Sequence, residues 1–447
     1  MIDVSIIVPT YNRCALLEKT LISLMQQDKK NIMVEILIID DGSTDNTKLM
    51  VDEYKKKIDS LHYIYVEHDG YRVGYVRNQG IKQARGKIIV FLDSGMIVDS
   101  LFAYKHFIAH ELPHIAVVGS VYGLSAVLSD RRFYDMIDYH NLDMSFDIIS
   151  NHEDYKDLRE GCLKFYDFDM SKMPAPYAFF WTGNVSIEKG DLDDLQGFDE
   201  NITGWGMEDV ELGYRLYCKG LKYTYCSTAR SIHLPHDVEE KPNNSWDGER
   251  DKKNKKYFYH KYKNVDTELY LVACNDFTYN IYLSQFYLNS KTRFDVSDLL
   301  ISKSTEKEKV KEVVVFGAHN GAISEYLDQP TLLEYDKYYL EILRKRFDEI
   351  DIFHSVGAYT PFENNRFKYC LVMDYWIYLD ESLLESVVRE ATRIADKVLI
   401  FYRITHKGKD VFSFEKNEQL EKCLLNENVD RKDVSYICGD YTVYLVE

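Results

Sequence analysis

The first hundred residues alternate between apolar, β-branched runs and segments with helical spacing, and this alternation constrains the fold more than any other feature. Four strands are predicted at 4–8, 34–39, 63–66 and 87–92, and three helices between them at 14–27, 44–57 and 73–84. Strands that alternate with helices pair in parallel through right-handed crossovers. The sequence therefore predicts an α/β domain built on a mixed, mainly parallel sheet.

Acidic residues stand where these predicted strands end. Asp40 and Asp41 follow the second strand, and Asp93 follows the fourth. Because ligands of open parallel sheets bind beyond the carboxyl ends of the strands, we expect these side chains to line a binding site.

A second alternating pattern occupies the later part of the chain. Its strands are predicted at 313–316, 331–333, 369–373 and 398–401, followed by a hairpin at 434–438 and 441–446. The charged stretch 238–256, which contains Pro242 and paired asparagines, predicts a mobile loop. We therefore predict a first domain over residues 1–262, a helical linker over 263–308 and a second, Rossmann-like α/β domain over 309–447.

Composition narrows the classes of function. The chain has 447 residues and a formal net charge of −18, which argues against binding to a nucleic-acid backbone. Its 45% of hydrophobic residues exclude a disordered chain. No apolar run approaches the ~20 residues that span a bilayer. The eight cysteines contain no CxxC pair, so we expect a cytoplasmic protein without a disulfide scaffold or zinc ribbon.

Three N-terminal segments carry a resemblance to a known family. They are Val-Pro-Thr-Tyr-Asn-Arg at 8–13, Ile-Asp-Asp-Gly-Ser-Thr-Asp at 39–45 and Phe-Leu-Asp-Ser at 91–94. In this order they resemble the family-two glycosyltransferases of GT-A fold, which use nucleotide-activated sugars. The resemblance implies that Pro9, Tyr11 and Asp41 surround the nucleotide base and that Asp93 faces the ribose and the metal. Taken alone, Asp41 and its neighbours also suit a turn that caps the next helix.

The segment Arg-Asn-Gln-Gly at 77–80 matches the Arg-Asn-x-Gly segment of the same family. The match implies that the guanidinium of Arg77 reaches the diphosphate of the donor. Without this context, Arg77 would be interpreted as a solvated arginine on a helix.

The segment Trp-Gly-Met-Glu-Asp at 205–209 resembles a motif shared by β-1,4-galactosyltransferases, polypeptide GalNAc-transferases and chondroitin polymerases. This resemblance extends the similarity over about residues 1–260 and implies that Asp209 is the general base and that Glu208 binds the acceptor. It makes Trp205 and Trp181 candidates for stacking on a sugar. From the residues alone, the carboxylates also suit a helix N-terminus, and Trp181 suits the core equally well.

The predicted metal site departs from the family pattern. The family has Asp-x-Asp after the fourth strand, whereas this chain has Asp93 followed by Ser94 and Gly95. Two explanations compete: either Asp93 binds the ion together with a histidine, for which His233 matches better than His236, or metal binding is weak or lost. We favour a retained Mn²⁺ or Mg²⁺ site of lower affinity, because a diphosphate leaving group needs its charge neutralised.

The resemblance implies an inverting single displacement. Asp209 would take the proton of the acceptor, and the metal and Arg77 would stabilise the departing UDP. The sugar, a hexose or an N-acetylhexosamine, and the acceptor, a glycan, a peptide or a small molecule, stay open at this point. A sugar-nucleotide-binding scaffold that has lost catalysis is the alternative that Gly95 leaves open.

The second domain resembles class I S-adenosylmethionine methyltransferases. Its Gly-Ala-His-Asn-Gly segment at 317–321 takes the place of the glycine-rich loop, Glu334 or Asp336 that of the ribose-binding acid, and Asp374 follows the fourth strand. Three interpretations stay open: an active methyltransferase that makes the chain bifunctional, a degenerate copy that binds the acceptor, or a structural module that joins two copies of the chain.

Overall fold

The computed structural model describes residues 2–236, 249–273, 275–289, 309–321, 323–324, 327–403, 420, 431–432 and 441–446. The chain divides into two compact units, Met1–Asn254 and Lys255–Glu447. Among the helices in these ranges, none combines the length and the apolar character that crossing a membrane requires.

The first unit is built on an eight-stranded sheet. Its strands are β1 (Val4–Thr10), β2 (Val34–Asp40), β3 (Leu61–Tyr65), β4 (Ile88–Leu92), β5 (Met96–Val98), β6 (Ile115–Tyr122), β7 (Asn184–Glu188) and β8 (Lys222–His233). Their order across the sheet is β3-β2-β1-β4-β7-β6-β8-β5. The first four strands pair in parallel, β7 is antiparallel to both of its neighbours, and β5 is antiparallel to β8. The predicted fold class, α/β with a mixed and mainly parallel sheet, is confirmed.

The helices of the first unit are α1 (Cys14–Met25), α2 (Thr47–Lys55), α3 (Val73–Gln83), α4 (Phe102–Ala109), α5 (Arg131–Asp135), α6 (Leu142–Ser150), α7 (Glu160–Phe165), α8 (Lys189–Asp194) and α9 (Glu208–Cys218). Helix α10 (Glu249–Tyr262) begins in the first unit and ends in the second. Every residue of β1 and β2 is buried, as in parallel strands that are covered on both faces. On α1, Leu17, Leu21 and Leu24 are buried along one side, in agreement with the predicted helical spacing.

The order of the strands decides where a ligand can bind. The chain starts at β1 in the interior of the sheet, continues to one side through β2 and β3, and then returns to the other side at β4. Thr10 pairs with Asp40, and Asp40 pairs with Tyr65, so the first three strands end level with one another. The crevice beyond these ends, where the direction of the strand order reverses, is the place at which open α/β sheets bind ligands.

Some local predictions differ from the structure. Of the loop predicted over 238–256, residues 249–256 belong to a helix and residues 238–248 lie outside the described part of the chain. The helix has a buried side that includes Phe258 and Tyr259. The apolar run at 177–187 predicts a strand, but a strand forms only from Asn184, and Pro176–Phe179 is a short 3₁₀ helix whose first residue is the proline. A short strand is also predicted at 222–226, and β8 continues past that point to His233.

Within its described residues, the second unit has a seven-stranded sheet and four helices that lie wholly in it. Its strands are β9 (Val313–Phe316), β10 (Thr331–Glu334), β11 (Ile352–His354), β12 (Phe367–Val372), β13 (Ala395–Arg403), β14 (Arg431–Lys432) and β15 (Tyr441–Val446). The helices are α11 (Val265–Val272), α12 (Asp276–Asn289), α13 (Lys337–Arg346) and α14 (Glu381–Ile394). The order is β11-β10-β9-β12-β13-β15-β14, with β15 antiparallel to both neighbours. The strand predicted at 434–438 lies outside the described residues.

Helix α11 lies in the stretch predicted as a linker and packs within the second unit. The carboxylate of Glu268 accepts hydrogen bonds from the backbone N–H groups of Val356, at 2.9 Å, and of Ala358, at 2.6 Å. These bonds hold α11 against the loop that follows β11.

Candidate active site

The carboxyl end of β2 presents buried acceptor oxygens. Asp41 is buried, and its Oδ2 lies 2.9 Å from Nδ1 of His68. Its Oδ1, like Oγ1 of Thr10, is buried and has no hydrogen-bond partner among the residues that the structure describes. Burial raises the pKa of Asp41, and the contact with His68 offsets part of the rise. Because a buried polar atom without a partner costs free energy, this edge is suited to a ligand that donates an N–H group.

A pair of flat rings stands beside these oxygens. The rings of Tyr11 and His68 are stacked, with centroids 4.0 Å apart and planes 4° from parallel. Pro9, also predicted near the base, is buried inside β1 opposite Ile39. Sequence reasoning missed His68. His68 follows β3, and its place in the site could have been predicted from this position, because neighbouring parallel strands end at the same edge of the sheet.

Arg77 joins two parts of the site that are far apart in sequence. Its buried guanidinium donates from Nη1 to Oε1 of Glu208, at 2.9 Å, and from Nη2 to Oδ1 of Asp93, at 2.8 Å. Burial by itself lowers the pKa of Arg77, but the charges of Asp93 and Glu208 raise it above its usual value. The contacts bring the end of β4 and the start of α9 together. Arg77 was predicted to reach a diphosphate, and its described partners are these two carboxylates.

Helix α9 places two carboxylates at its first turn. The chain enters it through Gly206 and Met207, both with positive φ. Asp209 is half-buried, and its Oδ1 accepts the N–H of Val210 at 2.8 Å. Loss of solvation, followed by the charge of Glu208, raises the pKa of Asp209 to about 8. A carboxylate with its pKa in this range is matched to general base catalysis near neutral pH.

Two tryptophans were predicted to stack on a sugar. Trp205 precedes the carboxylates and is 45% exposed. Trp181 donates from its indole Nε1 to the carbonyl of Ala178 at 2.9 Å, and the guanidinium of Arg159 lies 4.8 Å from the centre of its ring. The structure therefore leaves Trp205 more accessible to a sugar, whereas protein groups cover part of Trp181.

Asp93 follows β4 and His233 ends β8, and these two strands are not neighbours in the sheet. Asp93 retains 39% of its side-chain surface exposed although Oδ1 is bound by Arg77. His233 pairs with Met96 of β5, three residues after Asp93, and its ring centroid is 5.1 Å from that of His236. Within the described ranges no three His, Cys, Asp or Glu side chains form a metal-binding group. An ion held by Asp93 and His233 would therefore need further ligands, such as the phosphates of a substrate.

In the second unit, the acids predicted to bind a ribose are bonded to the protein backbone. Glu334 is fully buried, and it accepts the N–H groups of His319, at 2.6 Å, and of Asp336, at 2.8 Å. Asp336 in turn caps α13. A Cβ atom at Gly317 would collide with the ring of Tyr375. A nucleoside needs an acid for its ribose and room beside the glycine loop. These residues therefore do not fit S-adenosylmethionine.

Comparisons with known proteins cover both units. Residues 5–164 match the family model described as "Glycosyl transferase family 2", and residues 165–237 match "N-terminal domain of galactosyltransferase". Validoxylamine A glucosyltransferase of Streptomyces hygroscopicus subsp. jinggangensis is 28% identical over 409 residues, which are 88% of this chain and 96% of that protein. An alignment of that length includes part of the second unit.

Two further similarities concern shorter stretches. Chondroitin synthase of Pasteurella multocida is 30% identical over 240 residues, which are 52% of this chain and 25% of that protein. The crystal structure of Staphylococcus aureus TarS 1–349 in complex with UDP-GlcNAc is 16% identical, has a TM-score of 0.42, and covers 66% of this chain and 77% of that one.

We expect the contact between Arg77 and Glu208 to be visible in the free energy of unfolding. Arg77→Met leaves the buried Glu208 without its partner, so this variant should lose about 3–5 kcal/mol in urea-induced unfolding. The double variant Arg77→Met/Glu208→Gln should lose clearly less than the sum of the two single variants. Arg132→Met, at an exposed ion pair with Asp130, serves as the control and should change little. Additive losses would contradict the contact.

Proposed function

The first unit of this chain belongs to glycosyltransferase family 2, and from this premise we propose that the protein is an inverting enzyme that transfers a hexose or N-acetylhexosamine from a UDP-sugar to an acceptor hydroxyl. The observation that carries the proposal is the buried Arg77, which bonds Asp93 after β4 and Glu208 at the start of α9. Arg77 thereby joins the end of β4 to the helix that carries Asp209, which supports a site that includes both.

The donor is proposed to be a uridine nucleotide. Uracil is flat and carries an N–H group at N3. Oδ1 of Asp41 and Oγ1 of Thr10 are buried acceptors that lack a donor within the described part of the chain. The stacked rings of Tyr11 and His68 stand beside them. His68, by holding Oδ2 of Asp41, leaves Oδ1 for the base.

Asp93 and His233 are the residues that would hold Mn²⁺ or Mg²⁺. Such an ion, when bound, neutralises charge on the diphosphate. Arg77 is proposed as a positioning residue, because both of its bonds go to protein carboxylates. The contact leaves Oδ2 of Asp93 and Oε2 of Glu208 as the oxygens of these two residues that can face substrate.

Asp209 is proposed as the general base. It takes the proton of the acceptor hydroxyl while the acceptor oxygen attacks the anomeric carbon from the face opposite UDP. The bond from that carbon to the diphosphate oxygen breaks, and its electron pair leaves with UDP. One displacement inverts the configuration and requires no covalent intermediate. Glu208, through its second carboxylate oxygen, is proposed to bind another hydroxyl of the acceptor.

The relative that covers most of this chain is named for transfer of glucose to validoxylamine A. We therefore propose glucose as the sugar and a small molecule as the acceptor, with validoxylamine A as the first acceptor to test. The alignment with that relative continues beyond the first unit, which supports a role for the second unit in the same activity.

The second unit is proposed to act without S-adenosylmethionine. The acids predicted to bind its ribose are bonded to backbone N–H groups, and Tyr375 occupies the space beside Gly317. This favours the two non-catalytic interpretations of that unit over a methyltransferase.

The proposed base pocket predicts selective binding of uridine nucleotides. UDP should bind to the full chain in calorimetry with Mn²⁺ present, and UMP should compete while CMP, whose N3 carries no hydrogen, should not. Asp41→Ala should weaken UDP binding by about tenfold or more, because the acceptor for N3–H is lost. Asp52→Ala, which removes an exposed carboxylate paired with Lys48, should leave the affinity unchanged. Equal binding of UMP and CMP would refute the assignment.

If Asp209 is the general base, replacing it should slow the reaction without changing the affinity for the nucleotide. Asp209→Asn should slow hydrolysis of UDP-glucose by a factor on the order of 10²–10⁴ and leave the dissociation constant for UDP nearly the same. In the unmodified protein, the rate should rise with pH, reach half of its maximum near pH 8 and level off above that, because the base accepts a proton only when ionised and the pKa of Asp209 is about 8. A rate that is flat between pH 6 and about 8 would contradict this role.

Because the acids of the second unit are bonded to the backbone and Tyr375 lies beside Gly317, we expect saturating S-adenosylmethionine to leave the melting temperature of the protein unchanged. A ligand that binds only the folded state raises that temperature, so UDP with Mn²⁺ serves as the positive control. A rise with S-adenosylmethionine comparable to that with UDP would restore the bifunctional interpretation.

A further inference from the structure

One side chain from α10 converges on the loop that precedes α9. Asn254 is 3% exposed, and its Nδ2 lies 3.2 Å from the carbonyl oxygen of Thr203, 3.4 Å from that of Trp205 and 3.0 Å from that of Gly206. A single amide group thus serves as the donor for three backbone acceptors. The segment Thr203–Gly206 is held in this way by a residue about fifty positions later in the chain.

The segment needs such support because of its backbone conformation. Gly204, Gly206 and Met207 all have positive φ, and the value for Met207 is +79°. A residue with a side chain adopts this region only at a cost, and it stays there when surrounding contacts hold it. Loop carbonyl groups that are buried also require donors. Apart from Asn254, the N–H of Gly204 donates to the carbonyl of Tyr71 at 2.9 Å.

The position of this segment determines where the proposed catalytic groups lie. Trp205 belongs to it, and Glu208 and Asp209 follow it directly at the start of α9. We propose that Asn254 is a positioning residue for the reaction: it fixes the segment 203–207 and thereby the orientation of Trp205, Glu208 and Asp209 toward the acceptor. This inference rests on the proposed function for the roles of those three residues.

Asn254 lies outside the part of the chain that matches the family models. That match ends at residue 237, whereas Asn254 lies on the following helix, at the end of the first compact unit. The inference therefore adds to the acceptor side of the proposed site a residue, Asn254, that the family models do not include.

The chemistry of the amide suggests three variants of Asn254. Asn254→Asp has nearly the same shape, but it replaces the donor by a carboxylate that faces three carbonyl oxygens. Asn254→Leu has a similar size and neither donates nor repels. Asn254→Gln keeps an amide on a side chain that is longer by one methylene group and should restore part of what the other variants lose.

Hydrogen exchange of the full-length variants, followed by mass spectrometry, tests whether Asn254 holds the segment 203–207 in place. In Asn254→Asp and Asn254→Leu, the amides of residues 203–209 should exchange faster by about tenfold or more, while those of β1 and β4 should not change. Asn280→Leu is a matched control, since Asn280 is a buried helical asparagine that donates to the carbonyl of Asp276 in the second unit. It should leave the exchange of residues 203–209 unchanged.

Kinetic measurements on the same variants test whether the position of this segment matters for the reaction. In Asn254→Asp and Asn254→Leu, the turnover number for UDP-glucose hydrolysis should fall by about tenfold or more. The dissociation constant for UDP should stay within about twofold, because the residues proposed to bind the nucleotide base are unchanged. Asn280→Leu should retain the turnover number. Unchanged exchange at 203–209, or a loss of UDP affinity that parallels the loss of turnover, would overturn the inference. If the unmodified protein neither binds UDP nor hydrolyses UDP-glucose, the proposed function fails, whereas the exchange result still decides whether Asn254 holds the segment.

Discussion

The arrangement of the candidate site in the first unit depends on the buried cation of Arg77. Arg77 is enclosed by protein, and such a charge is stable only when opposite charges and hydrogen bonds replace the water it has lost. Asp93 and Glu208 provide both, at 2.8 and 2.9 Å. Since one carboxylate follows a strand of the sheet and the other begins α9, satisfying the guanidinium also fixes the distance between the two sides of the site. Loss of Arg77 would therefore disturb the fold and the site together.

Three oxygens of the proposed site are buried and have no partner in the described chain. They are Oδ1 of Asp41, Oγ1 of Thr10 and Oε2 of Glu208. Buried atoms without a partner also occur elsewhere in the described chain, at His110, Asp191, His319 and Ser324, so this property alone does not identify a site. Each such atom lowers the stability of the folded protein, and in the proposed site a substrate that donates a hydrogen bond would offset this cost. Burial next to Glu208 raises the pKa of Asp209, because it disfavours a second negative charge.

The two units have similar sheet topology, but the polar groups at the carboxyl ends of their strands are bonded differently. In both sheets the first strand lies in the interior and the strand order reverses beside it, which creates a crevice at the carboxyl ends. The first unit keeps acceptor oxygens available at that edge. The second unit bonds Glu334 to the backbone of His319 and Asp336 and packs Tyr375 beside Gly317. Fold alone therefore does not assign a function to the second unit, and the contacts of its side chains decide.

The sequence by itself determined the alternation of strands and helices, the acids at the strand ends and membership in glycosyltransferase family 2, which the family matches confirm. These features are local: periodicity and short motifs encode a strand, a turn or a helix start within a few residues. Only the tertiary structure decided that Arg77 meets Glu208 across 131 positions, that His68 stacks on Tyr11, and that Asn254 reaches the loop before α9. Such contacts join distant elements, and their partners are set by how helices pack on the sheet, which no spacing in the sequence specifies.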